Sequence, residues 1–170
     1  MNRRTRIEGK VWRFGDHVNT DVIIPARHCV TLDADELGRH AMEGAAPGFS
    51  SSISPGDLVV AGANFGCGSS RETAPLALLH AGVGAVVAAS FARIFFRNSL
   101  NVGLPIFESP EAADACRQGD RLVIEPSAGR IENARTGEIF TFAAYPDDLM
   151  AIVDAGGLVP YVRRRLLGET

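Results

Sequence analysis

The 170-residue chain has no apolar run long enough to cross a bilayer, and none follows its basic start, Met1-Asn2-Arg3-Arg4-Thr5-Arg6, where a secretory signal would carry one. These absences lead to the expectation of a cytoplasmic protein with no membrane partner. Its three cysteines, Cys29, Cys67 and Cys116, contain no C-x-x-C pair, and His17, His28, His40 and His80 contain no i, i+4 pair. On that spacing a disulfide framework and a self-contained metal site are both unexpected, and no residue is assigned to a metal. A net charge of −3 provides no basic stripe for nucleic acid. The one basic cluster, Arg163-Arg164-Arg165, reads as a solvated helix end. There is no internal repeat, no low-complexity segment and no Pro/Gly/Ser linker long enough to separate independent domains, so residues 1–170 are expected to form one domain, with about 146–170 a helical extension.

What is present is enough for a core: 46% of the residues are hydrophobic. The pattern predicts a strand over 10–14, then a turn-rich loop over 15–21 feeding extended Val22-Ile23-Ile24-Pro25. Asp33 reads as the N-cap of a helix over 34–43, followed by a loop over 45–56. Residues 58–61 and 85–88 are short, continuously apolar runs that suit buried strands. Ser90 is placed as the cap of a helix over 91–98, residues 104–107 as extended, and 110–118 as a helix with proline in its first turn. Strands are expected at 121–125, 130–133 and 138–142. A helix over 146–155 should then break at Gly156-Gly157 before 158–167. Strands that alternate with helices early and cluster late predict a mixed α/β layered architecture.

The segment that carries chemistry is Asn64-Phe65-Gly66-Cys67-Gly68-Ser69-Ser70-Arg71-Glu72. Lying between an apolar strand and an apolar helix, it places two hydroxyls and a guanidinium at a helix mouth, where unpaired N–H groups and the dipole favour an anion. It lacks the spacing and the lysine of a phosphate-binding P-loop, and the G-x-S-x-G of a serine hydrolase. Cys67 has no neighbouring base and reads as a small packed side chain. Asn19, Thr20 and Asp21 either cap their own turn or support a nearby site from behind. Arg93 and Arg97, four apart among Phe91, Phe95 and Phe96, form either an anion surface or packed stems over aromatics.

Five ordered segments, 9–16, 19–27, 64–75, 91–105 and 155–162, together resemble the small subunit of 3-isopropylmalate dehydratase over nearly the whole chain. The resemblance implies an aconitase-like swivelling β/β/α three-layer domain with a mixed sheet. It implies a separate large subunit as partner, which carries the [4Fe-4S] cluster, while this chain binds no cofactor. It implies that Ser69 is the general base for the C–H proton beside a carboxylate, that Arg71 pairs with a substrate carboxylate, and that Ser70 adds a hydrogen bond. Asn64 and Gly68 join Asn19, Thr20 and Asp21 as supporting residues. Homoaconitase small subunits tend to place an arginine where this chain has Val30; Val30 and Thr31 therefore imply an alkyl-bearing malate and no third carboxylate. Isopropylmalate is the expected substrate, with 2,3-dimethylmalate or another substituted malate as the alternative. The competing class is a non-catalytic swivel domain that binds a carboxylate or a partner. Thr73, where many relatives have His or Gln, is expected to affect packing more than chemistry.

Overall fold

The computed structural model describes residues 6–31 and 33–168; the basic start at 1–5, Leu32 and the last two residues of the expected extension lie outside these. Four strands run parallel: β1 (Ile7–Arg13), β2 (Leu58–Ala61), β3 (Ala85–Ala88) and β4 (Ile106–Glu108). Strands β5 (Arg121–Glu125), β6 (Arg130–Asn133) and β7 (Ile139–Thr141) then form an antiparallel meander that joins the other edge of β1. The resulting order is β4-β3-β2-β1-β5-β6-β7, a mixed sheet as expected.

Strands β2 and β3 are buried at every residue, and their period of two divides them between two cores. Val59, Ala61, Val86 and Ala88 face the helical layer, meeting Leu37, Phe49, Leu78 and Phe95. Leu58, Val60, Ala85 and Val87 face the other way, against Leu122, Ile124, Ile131 and Phe140 of the antiparallel half. The sheet therefore curls over itself. Ser109, just beyond β4, donates its hydroxyl to Thr141 O of β7 at 3.1 Å, and the Tyr145 hydroxyl donates to Ile106 O. The Phe107 ring packs 4.8 Å from Phe142 and 5.1 Å from Tyr145, closing the same seam. Sheet, curled sheet and helices make the expected three layers.

The helices are α1 (Thr20–Ile23), α2 (Ala34–Arg39), α3 (Phe49–Ser52), α4 (Thr73–His80), α5 (Arg93–Val102), α6 (Pro110–Ala115), α7 (Asp147–Asp154) and α8 (Leu158–Leu167). Asp33 caps α2 by accepting from Glu36 N at 2.8 Å. Four local expectations are corrected. Residues 22–25 are not extended from their start: the Asn19 side chain accepts from Val22 N at 2.9 Å and nucleates α1, overriding the β-branched run. The loop over 45–56 contains α3. Helix α2 stops at Arg39 because Met42 turns to a left-handed φ of 57° and gives its N–H to Ile23 O at 2.7 Å. Helix α6 ends at Ala115 because Cys116 becomes extended and the Asp120 carboxylate takes the Arg117 N–H at 2.9 Å. A further correction concerns Ser90. It is no helix cap; α5 begins after Ala92, and Ser90 Oγ instead accepts from Asn64 N at 2.9 Å.

Candidate active site

The loop over 62–72 is built by its neighbours. Phe65 N donates to Ser90 O at 3.0 Å and Ala92 N to Phe65 O at 2.9 Å, which holds the loop to the start of α5. On the other side Gly66 N donates to Val18 O at 2.7 Å and Thr20 N to Cys67 O at 2.9 Å. Gly66 has a left-handed φ of 77°, and its backbone passes so close to α5 that a Cβ there would lie 2.1 Å from Phe95 Cγ. The Thr20 hydroxyl donates to Ser69 O at 2.9 Å, so a buried side chain of α1 fixes the carbonyl of the expected base.

This stitching opens a cleft of about 260 Å³. Thr20, Gly68, Ser69, Ser70 and Arg71 form one wall, and Arg93, Ile94, Phe95 and Asn98 of α5 form the other. Ser69 and Ser70 are exposed. Among the described residues, none accepts a hydrogen bond from the backbone N–H of Ser69, Ser70 or Arg71. Arg71 Nη1 donates to Asp21 Oδ1 at 2.6 Å and to Ile24 O at 3.3 Å; Nε and Nη2 have no partner among the described residues. The Asp21 side chain is 57% exposed and that of Arg71 18%. An ion pair so open on one side contributes about 1 kcal/mol or less. It steers Arg71 through Nη1 alone.

The helix mouth itself has fewer donors than its position implies. Helix α4 begins only at Thr73, Ala74 N is engaged with Arg71 O at 3.3 Å, and Pro75 has no N–H. Among the described residues, backbone N–H groups without a partner run from Ser69 to Thr73, most of them on the turn before the helix. Of the supporting residues, Asn19 caps α1, Asp21 orients Arg71, and Gly68 lines the cleft at a φ of 95°. Asn64 holds a left-handed φ of 58° where the loop opens, with its side chain 3.3 Å from His17 Nδ1.

Val30 and Thr31 are not brought to this cleft. Val30 is 89% exposed, and the Thr31 hydroxyl accepts from Asp33 N at 3.0 Å. Their segment touches the site only indirectly: the buried Thr73 donates its hydroxyl to Cys29 Sγ at 3.2 Å. Sequence reasoning did not assign Arg93, Ile94, Phe95 and Asn98 to the cleft. Helical spacing puts 94, 95 and 98 on one face, but only the crossing of α5 over the loop shows what that face meets.

A family model described as the aconitase C-terminal domain matches residues 38–111, a span that holds the whole 62–72 loop and most of the parallel sheet. The 3-isopropylmalate dehydratase small subunit of Moorella thermoacetica is 53% identical over 160 residues, covering 94% of this chain and 96% of its own. The chain belongs to the 3-isopropylmalate dehydratase small-subunit family. A crystal structure of 3-isopropylmalate dehydratase from Methanocaldococcus jannaschii superposes with a TM-score of 0.90 at 40% identity, covering 96% of this chain and 97% of that one. Relatives with other names lie equally near: the methanogen homoaconitase small subunit of Methanothermobacter thermautotrophicus is 51% identical over 153 residues, covering 90% of this chain and 88% of that one. The Moorella and Methanothermobacter relatives are small subunits by name, which implies a large-subunit partner.

Proposed function

We propose that this chain is the small subunit of a cytoplasmic hydro-lyase that interconverts 2-isopropylmalate and 3-isopropylmalate by dehydration and rehydration, as in leucine biosynthesis. The observation that carries the reading is the convergence of Ser69 and Arg71 on one cleft in a chain of this family. Ser69 is the base that takes the proton from the carbon beside a carboxylate. Each pKa unit by which its hydroxyl is lowered requires about 1.4 kcal/mol of preferential alkoxide stabilisation. The unpaired N–H groups of Ser70 and Arg71 and the Arg71 charge are the sources nearest to hand. Arg71 binds a substrate carboxylate with the donors that Asp21 leaves free, and Ser70 adds a hydrogen bond.

A [4Fe-4S] cluster belongs to the proposed large subunit. The thiols here do not suit one: Cys29 packs on Thr73, Cys67 reaches His17 O, and burial pushes the Cys116 thiol up to about 11. Substrate choice rests on residue 30. Relatives near 50% identity bear both isopropylmalate and homoaconitase names, so overall similarity does not select among substrates. An uncharged Val30 has no group to pair with a third carboxylate, and its exposure leaves it free to be covered when the large subunit docks.

The test is anaerobic reconstitution with the cognate large subunit, following the unsaturated intermediate from 3-isopropylmalate, 2,3-dimethylmalate and homocitrate in parallel. Preference for isopropylmalate is expected, and Ser69→Ala should lower kcat by roughly 10²–10⁴ while large-subunit binding is retained. Near-normal turnover of that variant would remove Ser69 as base. Activity on another malate alone would keep the mechanism and change the substrate. Inactivity on all of them would favour a non-catalytic binding domain.

A further inference from the structure

Away from the cleft, the segment that carries Val30 and Thr31 is bracketed by three side chains that meet in space. His28 ends the 3-10 turn Ala26–His28, His40 follows the last residue of α2, and Glu43 lies in the turn after it. The two imidazoles are stacked with centroids 3.6 Å apart and planes 7° from parallel. His40 Nδ1 is 2.9 Å and His28 Nε2 3.0 Å from the same carboxylate oxygen, Glu43 Oε2. His28 Nε2 is shut off from solvent and, despite that short separation, is out of line for a hydrogen bond. Arg27 occupies the other carboxylate oxygen.

We propose that His28, His40 and Glu43 form a site for a divalent first-row transition metal ion, Zn²⁺ in particular. Two imidazole nitrogens and one carboxylate oxygen, all within 4.8 Å of one another, are a donor set that such an ion uses. Ligands about 2.1 Å from a shared ion lie roughly 3–3.5 Å from each other. Each imidazole lone pair lies in its ring plane, so the two stacked rings must swing out of their parallel arrangement, and Glu43 Oε2 draw back, for both nitrogens to face one ion. A metal also gives the buried His28 Nε2 the partner it lacks. Arg27, on Glu43 Oε1, holds the carboxylate from behind and leaves Oε2 as the ligand atom. The His28 side chain is 18% exposed and that of His40 33%, so the ion can enter from solvent and keep a water as its remaining ligand. Bound there, it ties both ends of the 28–40 segment together. The spacing hides the site, since His28 stands twelve residues before His40 and only the return of α2 brings them face to face.

The experiment is titration of the metal-stripped full chain with Co²⁺, read by visible absorption, followed by displacement with Zn²⁺. One Co²⁺ per chain is expected, with d–d bands of a nitrogen/oxygen site and no thiolate charge-transfer band, which separates this site from the three cysteines. His40→Gln and Glu43→Gln should each weaken binding by at least about tenfold. Circular dichroism of the metal-free variants establishes that they are folded, and if one is not, the other and His28→Gln carry the comparison. At a Zn²⁺ concentration about a hundredfold above Kd, the wild-type Tm should rise by roughly 5–10 °C, and that of the variants by much less. A thiolate band, no binding up to about 1 mM, or unchanged affinity in the folded variants would overturn the site.

Discussion

Gly66→Ala tests how tightly the 62–72 loop depends on α5. The new Cβ would lie 2.1, 2.4 and 2.5 Å from Cγ, Cβ and Cδ2 of Phe95, where carbon contacts normally begin about 3.5 Å apart. Phe95 is buried and flanked by Phe65 at 5.3 Å and Phe91 at 6.4 Å, so it has little room to retreat. Forcing a methyl into such packing costs about 1–3 kcal/mol. An L-residue at the φ of 77° adds about 1 kcal/mol. The sum, about 2–4 kcal/mol, corresponds to a Tm lower by roughly 5–15 °C for a chain of this size. Gly137→Ala is the matched control. It has a similar φ of 74° but nothing within 4 Å of its Cβ, so it should incur the backbone cost alone, about 1 kcal/mol. Thermal unfolding of both variants, with reconstituted kcat of the folded Gly66→Ala, is the assay. If the two glycines cost the same, the close approach to Phe95 does not hold the loop against α5, and if Gly66→Ala retains full turnover, the proposed reaction does not depend on that contact.

Three further outcomes follow from other regions of the molecule. Asp120 is buried and accepts from Arg135, Arg117 N and Asn133, and the Arg135 hydrogen bond chiefly holds its carboxyl below the ordinary 3.8. Because the folded value is the lower one, its stabilisation is complete above the unfolded pKa and is lost as pH falls through and below 3.8. Unfolding free energies of Asp120→Asn from urea titrations should be lower at neutral pH by about 2 kcal/mol and should fall less steeply than wild type from about pH 5 to pH 3; parallel curves would exclude Asp120 as the source. In reconstituted enzyme, Val30→Arg should shift relative kcat/KM toward homocitrate by about tenfold or more, and unchanged ratios would detach residue 30 from specificity. Arg71→Lys should raise KM by roughly tenfold or more, since a point ammonium replaces a planar fork; wild-type KM would show that Arg71 does not bind a carboxylate in two-point fashion.

Most elements were readable because their signals are local. The four-residue apolar runs of β2 and β3, the Asp33 cap and the Gly156-Gly157 break each act within a few positions of themselves. The misreadings at 22–25, at Ser90 and at the end of α2 share one cause. In each, a backbone or side-chain polar group found a partner that period and propensity do not reveal: Asn19 for Val22, Asn64 for Ser90, Ile23 for Met42.

Ser69, Ser70 and Arg71 were legible as an anion site because they lie side by side on one loop, where spacing alone places two hydroxyls beside a guanidinium; the base role proposed for Ser69 came from the family resemblance. The sequence by itself also determined the mixed α/β class, through the order of its periodic segments. Only the tertiary structure decided that α5 supplies the opposite wall, that Asp21 pairs with Arg71, that Val30 stands off the cleft, and that His28, His40 and Glu43 converge. Those relations join residues brought together by chain reversals, and their distances are set by how helices pack on the sheet, which no local pattern encodes.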